Sequence, residues 1–183
     1  MNEVKLEITE DNFNNLSIEE AKFIFEQSDK FLKDKVETSQ VIVARTTTLL
    51  TLIIGIIIGL ISYSITIWQK NCVLSPDIIT ALGISLYSFV ICFFLIRNIS
   101  PKNYLISGRE PSRIITNEFF TASDEKIRIL WIYLSEIKAN QFKIDKNEEV
   151  NNKRWHVFKM CLWLITSLPF VLFILYVVVF LCC

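Results

Sequence analysis

The feature that most limits this chain is the stretch from Thr46 to Trp68, TTTLLTLIIGIIIGLISYSITIW, in which 23 consecutive residues carry no formal charge. At a rise of about 1.5 Å per residue such a helix covers about 35 Å, enough to cross a hydrocarbon layer of about 30 Å with some tilt. A second uncharged run extends from Ile78 to Ile96, and a third from Met160 to Cys183. A helix at the surface of a soluble core needs only an apolar stripe; these runs are apolar on every side, the pattern of a helix solvated by lipid. The expectation is an all-α membrane protein with three transmembrane helices. Pro169 interrupts the third run, and a re-entrant or peripheral segment is the alternative there. The first run follows a charged, helix-forming segment and has no small-residue cleavage site behind it, so it is expected to remain in the chain rather than be removed as a secretory signal.

Basic residues flanking the runs predict an orientation, because Lys and Arg resist translocation. Lys30, Lys33, Lys35 and Arg45 precede the first run, Arg97, Lys102, Arg109 and Arg113 follow the second, and Lys153, Arg154 and Lys159 precede the third. The hairpin between the first two runs holds only Lys70, and no charge follows the third. All three counts place the N-terminus inside and the C-terminus outside. Trp68, Trp155 and Trp163 stand where amphipathic rings anchor at headgroup level. The chain therefore divides into a cytoplasmic region 1–45, a transmembrane hairpin 46–96 (spans 46–68 and 78–96), a cytoplasmic linker and long helix 97–159, and a third span 160–183.

The two cytoplasmic pieces differ in charge. The first counts 6 basic against 10 acidic residues and the second 12 against 8, which favours their docking together. Ser17 followed by Glu20 has the form of a capping box. From there Ala21, Ile24, Phe25, Ser28, Phe31, Leu32, Val36 and Ser39 recur at three- and four-residue spacing, and no Gly or Pro intervenes before Gly55. One helix is predicted from about Ile18 into the first span. A second starts near Ser123 with Asp124 and Glu125 in its first turn, carries the seam Ile127, Leu130, Leu134, Ile137, Ile144, and runs into the third span. Pieces this short cannot build a large soluble core alone, so the helical extensions are expected to form an oligomeric stalk completed by neighbouring subunits. Only Val4, Leu6 and Ile8 alternate in a strand-like way, over too few residues to predict a strand.

Several chemistries lack their residues. The single histidine, His156, has no partners for a metal site or for His-based catalysis, and Gly108 is the one glycine outside the runs, so no phosphate-cradling glycine loop exists. The five cysteines, Cys72, Cys92, Cys161, Cys182 and Cys183, contain no CxxC and indicate neither a disulfide framework nor a zinc site. The spans hold no acidic residue that could relay protons. No catalytic residue, metal or cofactor is expected.

Two features could carry function instead. In the first span Thr48, Thr51, Gly55, Gly59, Ser62 and Thr66 fall at spacings of three and four, a single stripe of small or hydroxylated side chains. Such a stripe either lets another helix approach closely, Gly55 and Gly59 being the GxxxG form of that contact, or faces the axis of an oligomer and lines a narrow, hydrophobically gated pore. Thr80, Gly83 and Tyr87 form a weaker face in the second span, suited to internal packing. Arg97, Lys102, Arg109 and Arg113, with Tyr104 among them, and Lys153 with Arg154 further on, form basic clusters. These read either as contacts to anionic lipid headgroups or as a site for a phosphorylated ligand or short single-stranded oligonucleotide, with cations on phosphates and Tyr104 as a stacking surface. Asn140, Asn147, Asn151 and Arg154 make a polar stripe on the second long helix, expected to be a solvated face that could add hydrogen bonds to such a ligand.

The amphipathic helix FLKDKVETSQVIVAR runs into the first span, the short NCVLSP hairpin follows it, and the helix ILWIYLSEIKANQFKIDKNEEVNNKRW runs into a further span. This layout as a whole resembles the SLATT-type membrane effectors of nucleotidyltransferase-linked bacterial anti-phage systems, Hailong systems among them. The third span departs from the simplest two-span form. The resemblance implies a homo-oligomer, a tetramer in the form expected here, of a bacterial inner membrane with its C-terminus in the periplasm. It further implies abortive-infection defence, membrane permeabilisation under a nucleotide or oligonucleotide signal, and a cognate nucleotidyltransferase as partner. The alternative is a non-conducting anchor or scaffold that recruits a soluble partner through its cytoplasmic helices.

Overall fold

A computed structural model of the chain describes residues 15–71, 75–108 and 124–182. They form three helices: α1 (Ile18–Asn71), α2 (Pro76–Ile99) and α3 (Glu125–Cys182). Each contains a segment long and apolar enough to cross a membrane, and the described residues include no strand. The chain is an all-α membrane protein with three candidate transmembrane helices. Cys72, Arg109, Arg113 and Cys183, and the strand-like Val4, Leu6 and Ile8, lie outside the described residues.

Local chemistry sets the helix starts. At α1 the Ser17 N–H and Oγ–H both donate to Glu20 Oε2 (2.9 and 2.7 Å), and the Glu20 N–H donates back to Ser17 Oγ at 3.2 Å. The predicted capping box is formed, and these hydrogen bonds, the backbone one foremost, hold the Glu20 carboxyl below its usual range. α2 opens with Ser75 in extended conformation and Pro76 in the first turn, where a missing N–H costs nothing. It stops at Ser100, whose N–H donates to the Ile96 carbonyl, just before Pro101. Asp124 caps α3, its Oδ1 accepting from the Lys126 N–H at 3.0 Å and its carbonyl from the Arg128 N–H. α3 continues through Pro169 without a break, in place of the interruption considered for the third run.

The described residues fall into two compact units: 15–37 with 104–108 and 124–148, and 38–71 with 75–103 and 149–182. In the first, Ala21 and Leu32 of α1 and Leu130, Leu134, Ile137 and Ile144 of α3 are buried, while the seam residue Ile127 is exposed. The two helices meet through the tilted ring pair Phe25–Tyr133, the hydrogen bond from Asn140 Nδ2 to Ser28 Oγ (3.1 Å) and the ion pair Lys35–Glu148 (2.9 Å). That pair sets a base of the net-acidic piece against an acid of the net-basic piece. In the second unit Ile53 and Ile57 of α1, Ile91, Cys92 and Leu95 of α2 and Cys161 of α3 form one buried cluster.

The polar stripe of α3 is not a solvated face. Asn140, Asn147, Asn151 and Arg154 are all buried, at spacings that continue the Leu130, Leu134, Ile137 seam toward Phe158 and Cys161. Partnership offsets the cost: Asn140, Asn147 and Arg154 each donate a hydrogen bond inside the fold, although among the described residues the atoms Asn140 Oδ1 and Arg154 Nε are buried without a hydrogen-bond partner. Asn147 grips the Leu105 backbone at two points, its Oδ1 accepting from the N–H (3.0 Å) and its Nδ2 donating to the carbonyl (2.8 Å). Lys143 Nζ donates to the carbonyl of Gly108, a residue at φ +85°. The extended segment after α2 is thereby stitched to α3.

Gly83 is the glycine the fold itself uses, since a Cβ there would stand 3.3 Å from Leu175 Cδ1 of α3. Gly83→Leu is expected to lower the stability of the solubilised protein by about 1–3 kcal/mol through overpacking, read as a fall in thermal midpoint by circular dichroism, with Gly83→Ala falling in between.

Candidate functional site

The predicted stripe on α1 maps to one uninterrupted exposed face. Thr48, Thr51, Gly55, Gly59, Ser62 and Thr66 are all exposed, and α1 turns Ile42, Thr46, Ile53, Ile57 and Ser64 inward instead. A Cβ added at Gly55 or Gly59 would meet nothing within 4 Å. The hydroxyls of Thr48, Thr51 and Thr66 donate to their own helix, to the carbonyls of Ala44, Thr47 and Ser62. Each hydroxyl hydrogen is thus satisfied while an oxygen lone pair points outward, which makes the face weakly polar but inexpensive to place in a membrane. Flanking it, Leu52, Ile54, Ile56, Ile58 and Ile65 are exposed apolar side chains, as expected of a helix surface outside water.

Thr80, Gly83 and Tyr87 take the internal role expected of them. Thr80 is buried, and the Tyr87 hydroxyl donates to the Leu164 carbonyl of α3 and lies 3.0 Å from Ser167 Oγ. A phenol satisfied between two spans ties α2 to α3 where apolar packing alone gains little, because lipid tails solvate leucine as well as a neighbouring helix does.

The predicted ligand cations separate by environment. Arg97 and Lys102 are exposed in the second unit, Tyr104 is half-buried in the first, and Arg109 and Arg113 lie outside the described residues. Lys153 is exposed and paired with Glu149 one turn earlier (2.7 Å). Arg154 is placed quite differently, only 5% exposed. Its Nη1 donates to Ser39 Oγ of α1 at 3.0 Å, and its Nη2 to the carbonyl of Ser100, the residue that ends α2, at 2.7 Å. The guanidinium joins three segments and occupies the carbonyl end of α2, where a cation is favoured by the exposed C=O groups. One layer on, Asn98 Nδ2 donates to Thr46 Oγ1 (3.2 Å), and that hydroxyl donates to the Ile42 carbonyl (2.7 Å). Ser39, Thr46, Asn98 and Ser100 are the residues that reading the sequence missed; the available signal was Ser39 recurring in the α1 seam, a hydroxyl where a methyl would otherwise sit.

Among the described residues no group of three His, Cys, Asp or Glu could hold a metal ion. Cys92 and Cys161 are buried free thiols in the apolar cluster, and His156 is exposed. The chain matches no family model, and neither a curated protein nor a solved structure is similar to it at a significant level.

Two predictions follow the polar contacts. Arg154→Met is expected to destabilise the solubilised protein by about 3 kcal/mol, because charge-assisted hydrogen bonds are lost and the buried Ser39 hydroxyl loses its partner; Ser39→Ala should cost about 1 kcal/mol, both read by thermal or denaturant unfolding. In the first unit, Asp29 is held below its usual carboxylate range mainly by the Lys33 ammonium (2.8 Å), with Ser107 adding a hydrogen bond. A lowered folded-state pKa gives stability that is fully present above the usual Asp range and is lost as pH falls through the folded value. Stability measured from neutral pH down into the acid range should decline for this reason, and Asp29→Asn should remove that portion of the decline.

Proposed function

We propose that this protein is a homo-oligomeric, tetrameric channel of a bacterial inner membrane, lined by Thr48, Thr51, Gly55, Gly59, Ser62 and Thr66 of α1. Its polar helical extensions stand in the cytoplasm and its C-terminus in the periplasm. The carrying observation is the exposed α1 face: two glycines one turn apart open onto empty space, in a helix whose core is built from its other side. Glycine within a helix costs roughly 0.5–1 kcal/mol relative to alanine, and a small-residue face compensates when another helix approaches it closely. Copies meeting along that face surround a column of hydroxyl oxygens and glycine backbone between rings of isoleucine, a lining suited to hydrophobic gating.

Gating falls to the polar parts of α1 and α3. Arg97, Lys102 and Tyr104, with Arg109, Arg113 and Lys153, supply cations and an aromatic ring for a nucleotide or short single-stranded oligonucleotide made by a partner nucleotidyltransferase, as the SLATT-type resemblance implies. Arg154 contributes indirectly, holding the end of α2 from which the segment with Lys102 and Tyr104 departs. The biological role proposed is anti-phage defence by depolarisation of the infected cell, transport rather than catalysis.

A second reading is supported by the exposed aromatic side chains Phe23, Phe31, Trp131 and Phe142 on the polar parts of α1 and α3, which suit a scaffold that recruits a soluble partner. Purified protein in liposomes discriminates the two. The channel reading expects ion flux that is abolished by Gly55→Leu, Gly59→Leu or Ser62→Phe without loss of the folded protein. Flux that persists in all three variants removes the α1 lining, and absence of flux in the unmodified protein, with and without nucleotide, favours the scaffold.

A further inference from the structure

Arg45 is the last charged residue before the first uncharged run, and Lys159 the last before the third. The second unit brings both to one indole: Arg45 Cζ and Lys159 Nζ each lie 5.9 Å from the Trp155 ring centroid. Their charges are therefore separated by no more than twice that distance. Phe158, itself buried, stacks flat against the same indole (5.3 Å between centroids, 5° between planes) and holds the ring in place. Arg45 and Lys159 are both exposed, and among the described residues neither is in an ion pair. Cation–π contact engages the face of the ring and leaves the N–H groups able to donate elsewhere.

We infer that Arg45, Lys159 and Trp155 form a binding site for the phosphate of an anionic glycerophospholipid at the level where α1 and α3 enter the membrane. Two like charges gathered at one ring are both stabilised by an anion close to them, and a phosphodiester headgroup offers oxygens that accept from a guanidinium and from an ammonium. The depth is right for a headgroup, since each cation adjoins the first residue of an apolar run and an indole prefers the same interfacial layer. The acyl chains then lie along the exposed apolar side chains further up the spans. These three residues are separate from the exposed α1 stripe and from Arg97, Lys102 and Tyr104. The site rests on the membrane placement of α1 and α3 alone and stands whether or not the protein conducts.

The test uses the full-length protein in detergent micelles, titrated with phosphatidylglycerol or phosphatidylcholine, with lipid adducts counted by native mass spectrometry. The expected result is preferential retention of phosphatidylglycerol, weakened about fivefold for each cation removed in Arg45→Gln, Lys159→Gln and the double variant. The charge-keeping pair Arg45→Lys with Lys159→Arg should retain the preference, which separates loss of the site from loss of the fold. Lys30→Gln with Lys138→Gln removes the same charge from exposed positions elsewhere and should also retain it. Inorganic phosphate added as competitor should leave the lipid bound; displacement by it assigns the site to soluble phosphate and overturns the lipid proposal. Undiminished binding in the double Gln variant, or an equal loss in the Lys30/Lys138 pair, overturns it as well.

Discussion

The fold depends on one buried guanidinium. Arg154 reaches from α3 to a hydroxyl of α1 and to the carbonyl of Ser100, which caps α2, so a single side chain links three helices in the second unit. Burying a cation is costly unless its donors are met, and that cost is what gives the contact its selectivity: a register shift of any one helix strands the charge. The neighbouring Asn98–Thr46 contact and, deeper in the spans, Tyr87 against Leu164 and Ser167 repeat the same device. In a lipid-solvated structure this matters more than in a soluble one, because the apolar cluster of Ile53, Ile57, Ile91 and Leu95 gains packing contacts but little hydrophobic driving force.

Outside the apolar runs a different logic holds. There water drives Ala21 and Leu32 against the Leu130, Leu134, Ile137 seam, and Asn140 and Asn147 supply direction within an otherwise greasy interface. Asn147 also does what a β-strand partner would do, pairing both polar groups of Leu105, and so orders a stretch of chain with no helix of its own. One polar stripe of α3, Asn140, Asn147, Asn151 and Arg154, is thus buried, while the stripe Thr48 to Thr66 of α1 is exposed.

Helices were legible in detail. The Ser17–Glu20 box and the absence of Gly and Pro from α1 before Gly55 act within a few residues, so their outcome is contained in the local sequence. The second long helix starts slightly later than its sequence suggests, at Glu125, with Asp124 as its cap rather than in its first turn. The α1 stripe was equally readable as a set, because helical periodicity places Thr48 through Thr66 on one face. The α3 stripe was readable as a set too, but its environment was not: Asn147 is satisfied by a residue 42 positions away and Arg154 by one 115 positions away. Periodicity groups residues onto a face without saying whether water, lipid or another segment covers it.

The sequence by itself determined an all-α membrane protein with three candidate transmembrane helices, two of them extending unbroken beyond the apolar runs, since backbone hydrogen bonding inside a bilayer leaves no other regular structure for an isolated apolar segment. Tertiary structure alone decided that Gly83 meets Leu175 while Gly55 and Gly59 meet nothing, that Arg154 is an internal tie, and that Arg45 and Lys159 converge on Trp155. The physical reason is that each of these depends on which faces of distant helices come together, and that choice is made by complementary shape and paired polar groups rather than by any local preference of the chain.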